Sequence, residues 1–435
     1  MELKIKPVFI LSKGENAFRH PDGTREVISD RSETDRRLAQ LSLELRSTLK
    51  FGSSLLNDSI VRDEEELNQL KAESMQVDGL LLYCIGYVPI QSVFSWGLPI
   101  VAFGGQYVPL APLMACGVER HSNIDITVAL DYQEIGESFT IIHARKKLQA
   151  ARITLFGFPP NLSSRWHHLP DFELARRKLG VRFSAVELRE LVSLLQTIDG
   201  KAVDSLVTIW KKEAKEVVEP QKTELREAAR MYSALRMLLE REKANAFGIN
   251  CLEMMRALKV LPPCYALTRL RDEGIHAACE ADIVSLLTMM LLGYLSDAPA
   301  FMGNVVAAMP TGNTISISHD VTPTKMAGFE ATAKPYILRN YHWSPGVTAH
   351  VELDTAQEVT VARFSRELDK ICLTSGKLVE CRDTTACRTT ISIEVNDVRE
   401  LVQRTFGNHQ AVVYGNQIKL TSKLCHKMGI QAIVV

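Results

Sequence analysis

Two hydrophobic periods alternate along the first two-thirds of this chain. Ser32 to Leu49 sets Leu38, Leu41, Leu45 and Leu49 on one side with charges opposite, and Arg62 to Ala72 repeats the pattern over a shorter span, so both predict amphipathic helices. Between and after them stand short apolar runs, Gly79 to Ile85 and Leu98 to Phe103, as strands buried on both faces require. Pro7 to Leu11 reads as a first strand, Pro89 to Trp96 as a helix and Ile124 to Leu130 as a further strand. Strands alternating with helices predict a mostly parallel sheet, whose ligands gather at the carboxyl ends of strands. Gly86-Tyr87 and Gly104-Gly105-Gln106 fall at such ends, although Gly-Gly after a strand commonly marks only a tight turn.

A second α/β unit begins near Ala151. Ala151 to Gly157 is strand-like and runs into the break Phe158-Pro159-Pro160. Phe172 to Gly180 reads as a helix stopped by its glycine, Val181 to Ser184 as a strand, and Ser184 to Glu187 as a capping box. Gly200 to Lys243 is helical with an interruption at Pro220, and Ile209, Trp210, Leu225, Tyr232, Leu235, Leu238 and Leu239 are its expected inner face. Ala244 to Cys251 returns to strand, and Tyr265 to Glu273 to helix. From Ala298 the period changes to two. Thr314 to His319, His350 to Leu353, Val359 to Phe364, Lys370 to Leu373 and Thr390 to Ile393 alternate, which predicts a small barrel or sandwich. A helix Val398 to Phe406, a strand opening at His409, a helix Gln417 to Met428 and a terminal strand Gln431 to Val435 close the chain. The expected architecture is two doubly wound α/β domains, 1–150 and 151–300, followed by a β-rich, barrel-like domain, 301–435.

One stretch resists explanation by patterning. In Gly274-Ile275-His276-Ala277-Ala278-Cys279-Glu280-Ala281-Asp282, two carboxylates sit where a small-residue strand turns into the apolar helix Ile283 to Leu295. A helix start accounts for Asp282, since the free N–H groups there favour an acid. Glu280 is a poor cap and is not accounted for. A hard divalent ion would account for both. His409, just before the apolar run Ala411 to Tyr414, is a candidate imidazole ligand, against the commoner role of a hydrogen-bonded structural histidine.

Composition narrows the classes. The 435 residues are 46% hydrophobic and 23% charged, with 51 basic and 51 acidic side chains. That balance favours neither nucleic acid nor an anionic membrane as a partner. No window reaches the roughly 18 apolar residues of a membrane span. The nine cysteines include no C-x-x-C pair, which predicts reduced thiols and a cytoplasmic location. No G-x-G-x-x-G and no Walker motif is present, against a dinucleotide or nucleoside triphosphate enzyme.

Pro263 through Asp282 and on to Pro299, Ser318-His319, and Asn408-His409 with Val413-Tyr414-Gly415 together resemble proteins related to L-fucose isomerase and L-arabinose isomerase, in particular their shorter fucose-isomerase-like relatives. The resemblance runs along the whole chain at low level, and Cys279-Glu280-Ala281-Asp282 is its most specific part. It implies two α/β domains and a β-rich domain, aldose–ketose isomerisation with a divalent metal, usually manganese, and a trimer or hexamer with its site near a subunit junction. It implies that Glu280 or Asp282 supplies a ligand, the other serving as base or supporting group, that His409 supplies the imidazole, and that His319 bonds the reacting oxygens. One departure stands out: the family's other catalytic acid, expected about two dozen residues before the motif, meets Leu258-Lys259-Val260-Leu261, and Glu253 is the nearest upstream candidate.

Moving a carbonyl between C1 and C2 of a sugar requires a base and a stabilised enediolate, which a divalent cation and tuned carboxylates supply. The expected activity is a metal-dependent isomerase of a free monosaccharide, a deoxy sugar or one bearing an anion at C6 such as sulfoquinovose. Lys325, Arg271 and Arg339 are candidates for holding the anion. The alternatives are an epimerase or lyase on the same scaffold, or a non-catalytic sugar-binding protein.

Overall fold

A computed structural model describes residues 2–19, 24–49, 54–74, 76–86, 88–104, 125–158, 168–342, 344–385 and 387–435. Two compact units are present, Met1–Lys146 and Lys147–Val435. Gly105, Gln106, Tyr87, Pro159 and Pro160 lie outside the described residues.

In the first unit β1 (Ile5–Ile10) opens a five-stranded parallel sheet after which β2 (Asn16–Arg19) and β3 (Arg25–Ile28) form a hairpin. The sheet continues with β4 (Ser59–Val61), β5 (Gly79–Cys84), β6 (Ile100–Gly104) and β7 (Ile126–Val128), in the order β4-β1-β5-β6-β7. Every residue of β5 is buried. Leu81 and Tyr83 enter one core with Ile5, Phe9 and Phe139, while Leu80 and Leu82 enter the other with Val8, Ile10 and Val93. That two-sided burial is the reason its sequence does not alternate. The expected helix from Pro89 is a short 3-10 turn, Gln91–Trp96, ended by Gly97 in the left-handed region. The hairpin and the helix Tyr132–Ala150 were not among the expected elements.

Gly86 shows how closely the hairpin is seated on the end of the sheet. A Cβ there would lie 1.9 Å from Ser12 N and 2.6 Å from Asn16 Oδ1. Asn16 is buried and closes the turn by accepting from Ser12 N at 2.8 Å and donating to Gly14 O at 3.0 Å.

The second unit begins with a four-stranded parallel sheet of β8 (Arg152–Phe156), β9 (Arg182–Val186), β11 (Ala246–Ile249) and β12 (His276–Ala278), ordered β12-β11-β8-β9. β10 (Glu216–Val217) joins a separate three-stranded sheet with β15 (Tyr336–Tyr341) and β16 (Ser344–Val351). The remaining strands are β13 (Phe301–Met309), β14 (Thr314–His319), β17 (Glu358–Phe364), β18 (Lys370–Asp383), β19 (Thr389–Val395) and β20 (His409–Tyr414). They run β17-β20-β13-β14-β19-β18, and β18 pairs back to β17, closing a six-stranded barrel with β21 (Gln431–Val434) added alongside β18. The α/β sheets followed by a barrel are the architecture expected from the alternating periods.

The helix Ile283–Ser296 is buried on nearly every side. It packs on β11 and β12 of the parallel sheet and on β17 and β20 of the barrel, which is why its sequence is apolar all round. Two local expectations are corrected. Ser184 opens no helix: β9 continues to Val186, the Ser184 hydroxyl bonds Thr154 Oγ1, and the helix Leu188–Leu195 starts after Glu187. Ile209 is 48% exposed, whereas Trp210, Leu225, Tyr232, Leu235, Leu238 and Leu239 are buried; the break at Pro220 lets the two helices turn different faces inward.

Gly86→Ala should destabilise the first unit by about 1–3 kcal/mol, because the two nearest atoms it meets, Ser12 N and Leu11 C, are backbone and cannot move aside. Urea denaturation followed by far-ultraviolet circular dichroism checks this.

Candidate active site

The site lies where β12 ends and the helix Ile283–Ser296 begins. Cys279 leaves the strand, and Glu280 and Ala281 both adopt left-handed backbone, φ 54° and 56°. Two consecutive non-glycine residues there are strained, each by about 1–3 kcal/mol. Ala281 N bonds Ile249 O at 3.0 Å, and Glu280 N donates to Cys251 Sγ at 3.3 Å, which ties the turn to the end of β11. The His168 carbonyl takes both Ile283 N and Val284 N, at 3.0 and 3.1 Å, and so caps the helix. This turn gives the two acids separate environments.

Asp282 is fully buried and is the helix N-cap, accepting from Ser285 N at 2.8 Å. Its Oδ2 faces Ser285 Oγ at 2.9 Å, Arg363 Nη1 at 3.0 Å, His409 Nδ1 at 2.8 Å and His168 Nδ1 at 3.1 Å. Burial would push this carboxyl up; Arg363, His168 and His409 outweigh it and hold it well below the usual range. A cation placed among these partners would be repelled by the Arg363 guanidinium already on the carboxylate.

Glu280 is different. Its side chain is 34% exposed; Oε2 stands 3.4 Å from His409 Nε2 and Oε1 stands 3.9 Å from His319 Nε2. His409 beside it brings its pKa down to about 2, against the opposing effect of burial. His409 therefore stands between the two acids, one ring nitrogen toward each. Since Nδ1 donates to Asp282, the lone pair of the neutral ring is on Nε2, which is buried and makes no hydrogen bond. Burial opposes charging this ring, but Asp282 and Glu280 prevail and raise its pKa to about 9.

His319 has the reverse tautomer. Its Nδ1 accepts from Asp320 N at 3.0 Å and Val321 N at 3.3 Å, so the proton of the neutral ring is on Nε2, 3.4 Å from Cys279 Sγ. Burial and the neighbouring His409 lower its pKa to about 4, leaving it neutral near pH 7. It is a donor here. β14 ends with His319 and β20 begins with His409, and the strand between them, β13, brings their ring centroids within 5.6 Å. Asn304 of β13 is paired in register with His409 and accepts from Asn408 Nδ2 at 2.7 Å.

The ligand-type atoms form two groups here, each within 4.8 Å: His168, Asp282 and His409, and Cys279, Glu280 and His319. The expected trio Glu280, Asp282 and His409 is not one group, because opposite nitrogens of His409 face the two acids. A divalent ion fits between Glu280 Oε2 and His409 Nε2: octahedral ligands at about 2.1 Å stand about 3 Å apart.

The three cations expected at the anion each have partners within the chain. Arg271 is buried and donates to Ala277 O, at 2.9 and 2.6 Å, and to Val321 O, at 2.6 Å, so it braces the chain. Lys325 Nζ bonds Phe329 O at 3.0 Å. Arg339 pairs with Glu219 and Asp383. Glu253 is exposed in the first turn of the helix Cys251–Leu258, whose Cys251 touches Glu280. His168 and Arg363 are site residues that the sequence pattern does not single out. The doublet His167-His168 was a visible signal for the first; Arg363 is an inward charge inside an alternating strand and gave little.

In chelator, thermal stability should fall as pH rises from about 6.5 through about 9. His409 has a raised pKa when folded, so its contribution is complete below the unfolded value and lost above the folded one. Calorimetry of wild type against His409→Gln checks this, and the variant should lack that slope.

Comparison with known proteins now adds to the geometry. Residues 172–295 match the family model described as the L-arabinose isomerase central domain. That span includes Glu280 and Asp282. The chain is also similar to a sulfoquinovose isomerase of Clostridium sp. (strain MSTE9), 23% identical over 293 residues, which are 65% of this chain and 62% of that protein's length. Both matches are to sugar isomerases.

Proposed function

We propose that this chain is a metal-dependent aldose–ketose isomerase acting on a free monosaccharide through an enediolate. The observation that carries this reading is His409: Asp282 occupies Nδ1, and the unbonded Nε2 is turned to Glu280. A carboxylate behind an imidazole in this way fixes its tautomer and raises its strength as a ligand. Glu280 Oε2 and His409 Nε2 would hold the cation, manganese or another divalent ion, and Asp282 is the positioning residue behind them. When bound, such an ion stabilises negative charge developing on neighbouring sugar oxygens.

The chain's own groups do the rest. His319 Nε2–H donates to a reacting oxygen, held at that task by the backbone amides on Nδ1. The proton moved between C1 and C2 needs a carboxylate with a free oxygen. Asp282 has none to spare, which leaves Glu280 Oε1, with Glu253 as the candidate for the second acid. The name of the sulfoquinovose isomerase relative supports a C6-sulfonated sugar as substrate. A cytoplasmic homo-oligomer, trimer or hexamer, completes the proposal, and light scattering after size exclusion tests it.

Glu280→Gln and His409→Ala should each lower manganese affinity at least about tenfold while leaving the fold intact. Metal analysis after dialysis reads this, and wild-type occupancy in both variants would remove the assignment. Glu253→Gln should lower kcat on a converted sugar by about 10²-fold with metal content unchanged if Glu253 is the second acid. Unchanged turnover, assayed as ketose formation, would exclude it.

A further inference from the structure

Three connections outside this centre, two flanked by barrel strands and one in the β10-β15-β16 sheet, bring together a different donor set. Asp320 follows β14, His342 sits in the turn between β15 and β16, and Cys387 lies between β18 and β19. Their ligand atoms lie within 4.8 Å of one another. His342 Nε2 is 3.0 Å from Asp320 Oδ2 and 3.8 Å from Cys387 Sγ.

We propose that Asp320, His342 and Cys387 form a second metal site, suited to zinc or a similar borderline ion and distinct from the Glu280–His409 centre. A tetrahedral ion bonded at about 2.0 Å to oxygen and nitrogen and about 2.3 Å to sulfur separates those atoms by about 3.3–3.6 Å, between the two spacings seen here. A mixed oxygen, nitrogen and sulfur set selects zinc, where manganese and magnesium prefer oxygen. Three protein ligands leave a fourth position for water.

The ligands are held ready. Arg388 N donates to Asp320 Oδ1 at 3.0 Å, leaving Oδ2 to face His342. The Arg388 guanidinium bonds the carbonyls of Asn340 and His342, at 2.8 and 2.6 Å, and fixes the turn that carries the imidazole. The Cys387 carbonyl accepts from Thr384 Oγ1 at 2.6 Å. His342 adopts φ 49°, a left-handed conformation that persists where the surroundings impose it. Its side chain is 39% exposed, so an ion has a way in, while Asp320 is buried.

A nucleophilic thiol relay does not fit these contacts. Asp320 and Cys387 face the same ring nitrogen, whereas a relay needs the carboxylate on one nitrogen and the thiol on the other. An ion here would tie the β15–β16 turn of the three-stranded sheet to two connections of the barrel. It would also brace Asp320, whose N–H holds His319.

The test is cobalt substitution of the chelator-treated full chain, followed by absorbance. Expected is a thiolate-to-cobalt charge-transfer band with tetrahedral visible bands, kept in Cys279→Ser and His409→Ala and lost in Cys387→Ser and His342→Gln. No thiolate band in wild type, or a band that survives Cys387→Ser, overturns the proposal and leaves a hydrogen-bonded ion pair. A second measurement needs no variant. Zinc should slow iodoacetamide labelling of Cys387, read by peptide mass spectrometry, at least about tenfold, as expected of a thiolate engaged by metal; an unchanged rate overturns the proposal equally.

Discussion

A buried, negatively charged oxygen organises the centre of the second unit. Asp282 Oδ2 is withdrawn from water, and such a charge survives only where partners replace its hydration. Here those partners arrive from four places: Ser285 one turn into the same helix, His168 before the first helix of the unit, Arg363 from β17 and His409 from the start of β20. Removing one partner from such a network typically costs about 3–5 kcal/mol. The network therefore both joins parallel sheet to barrel and sets the orientation of His409. Arg363 extends it by donating to the His409 carbonyl at 2.8 Å, so ring and backbone of that residue are held by the same cluster. Gly407 makes room for this guanidinium, since a Cβ there would lie 2.6 Å from Arg363 Nε.

The strained turn at Glu280 and Ala281 is what separates two carboxylates that are nearly adjacent in sequence. A regular helical start would place them side by side on one end of the helix. Two left-handed residues instead direct one acid inward to the cluster and leave the other partly open beside His319 and His409. The strain is offset by the bonds from Ile249 O and Cys251 Sγ and by the His168 cap on the helix. Division of labour between the acids follows from backbone geometry.

The two histidines at the barrel end show the same economy in their tautomers. His409 gives Nδ1–H to a carboxylate and, when neutral, presents a lone pair at Nε2; His319 receives backbone N–H groups at Nδ1 and presents a proton at Nε2. Once His409 is neutral, identical side chains thus become an acceptor and a donor beside one glutamate. The similarity to the L-arabinose isomerase central domain covers the two acids and stops short of both histidines. In this chain the barrel supplies them.

Much of the fold was legible in the chain because periodicity reports burial directly. The uninterrupted apolar runs at 79–85 and 98–103 marked central strands, the alternation after 301 marked the barrel, and Glu280 declared itself as a charge that patterning did not require. Elements with weak patterning escaped, namely the hairpin after β1 and the helix Tyr132–Ala150, and Ile209 lies off the face of its helix that buries Val203, Val207 and Trp210. Arg271 reads in sequence as a candidate for holding an anion, and in the fold it donates to the carbonyls of Ala277 and Val321. The roles within the site belonged to tertiary structure alone. Which acid is saturated, which nitrogen of each imidazole is free, and that Arg363 competes for Asp282 depend on contacts between residues up to 127 positions apart. Composition and period describe each segment's own faces. They carry no information about which distant face it meets.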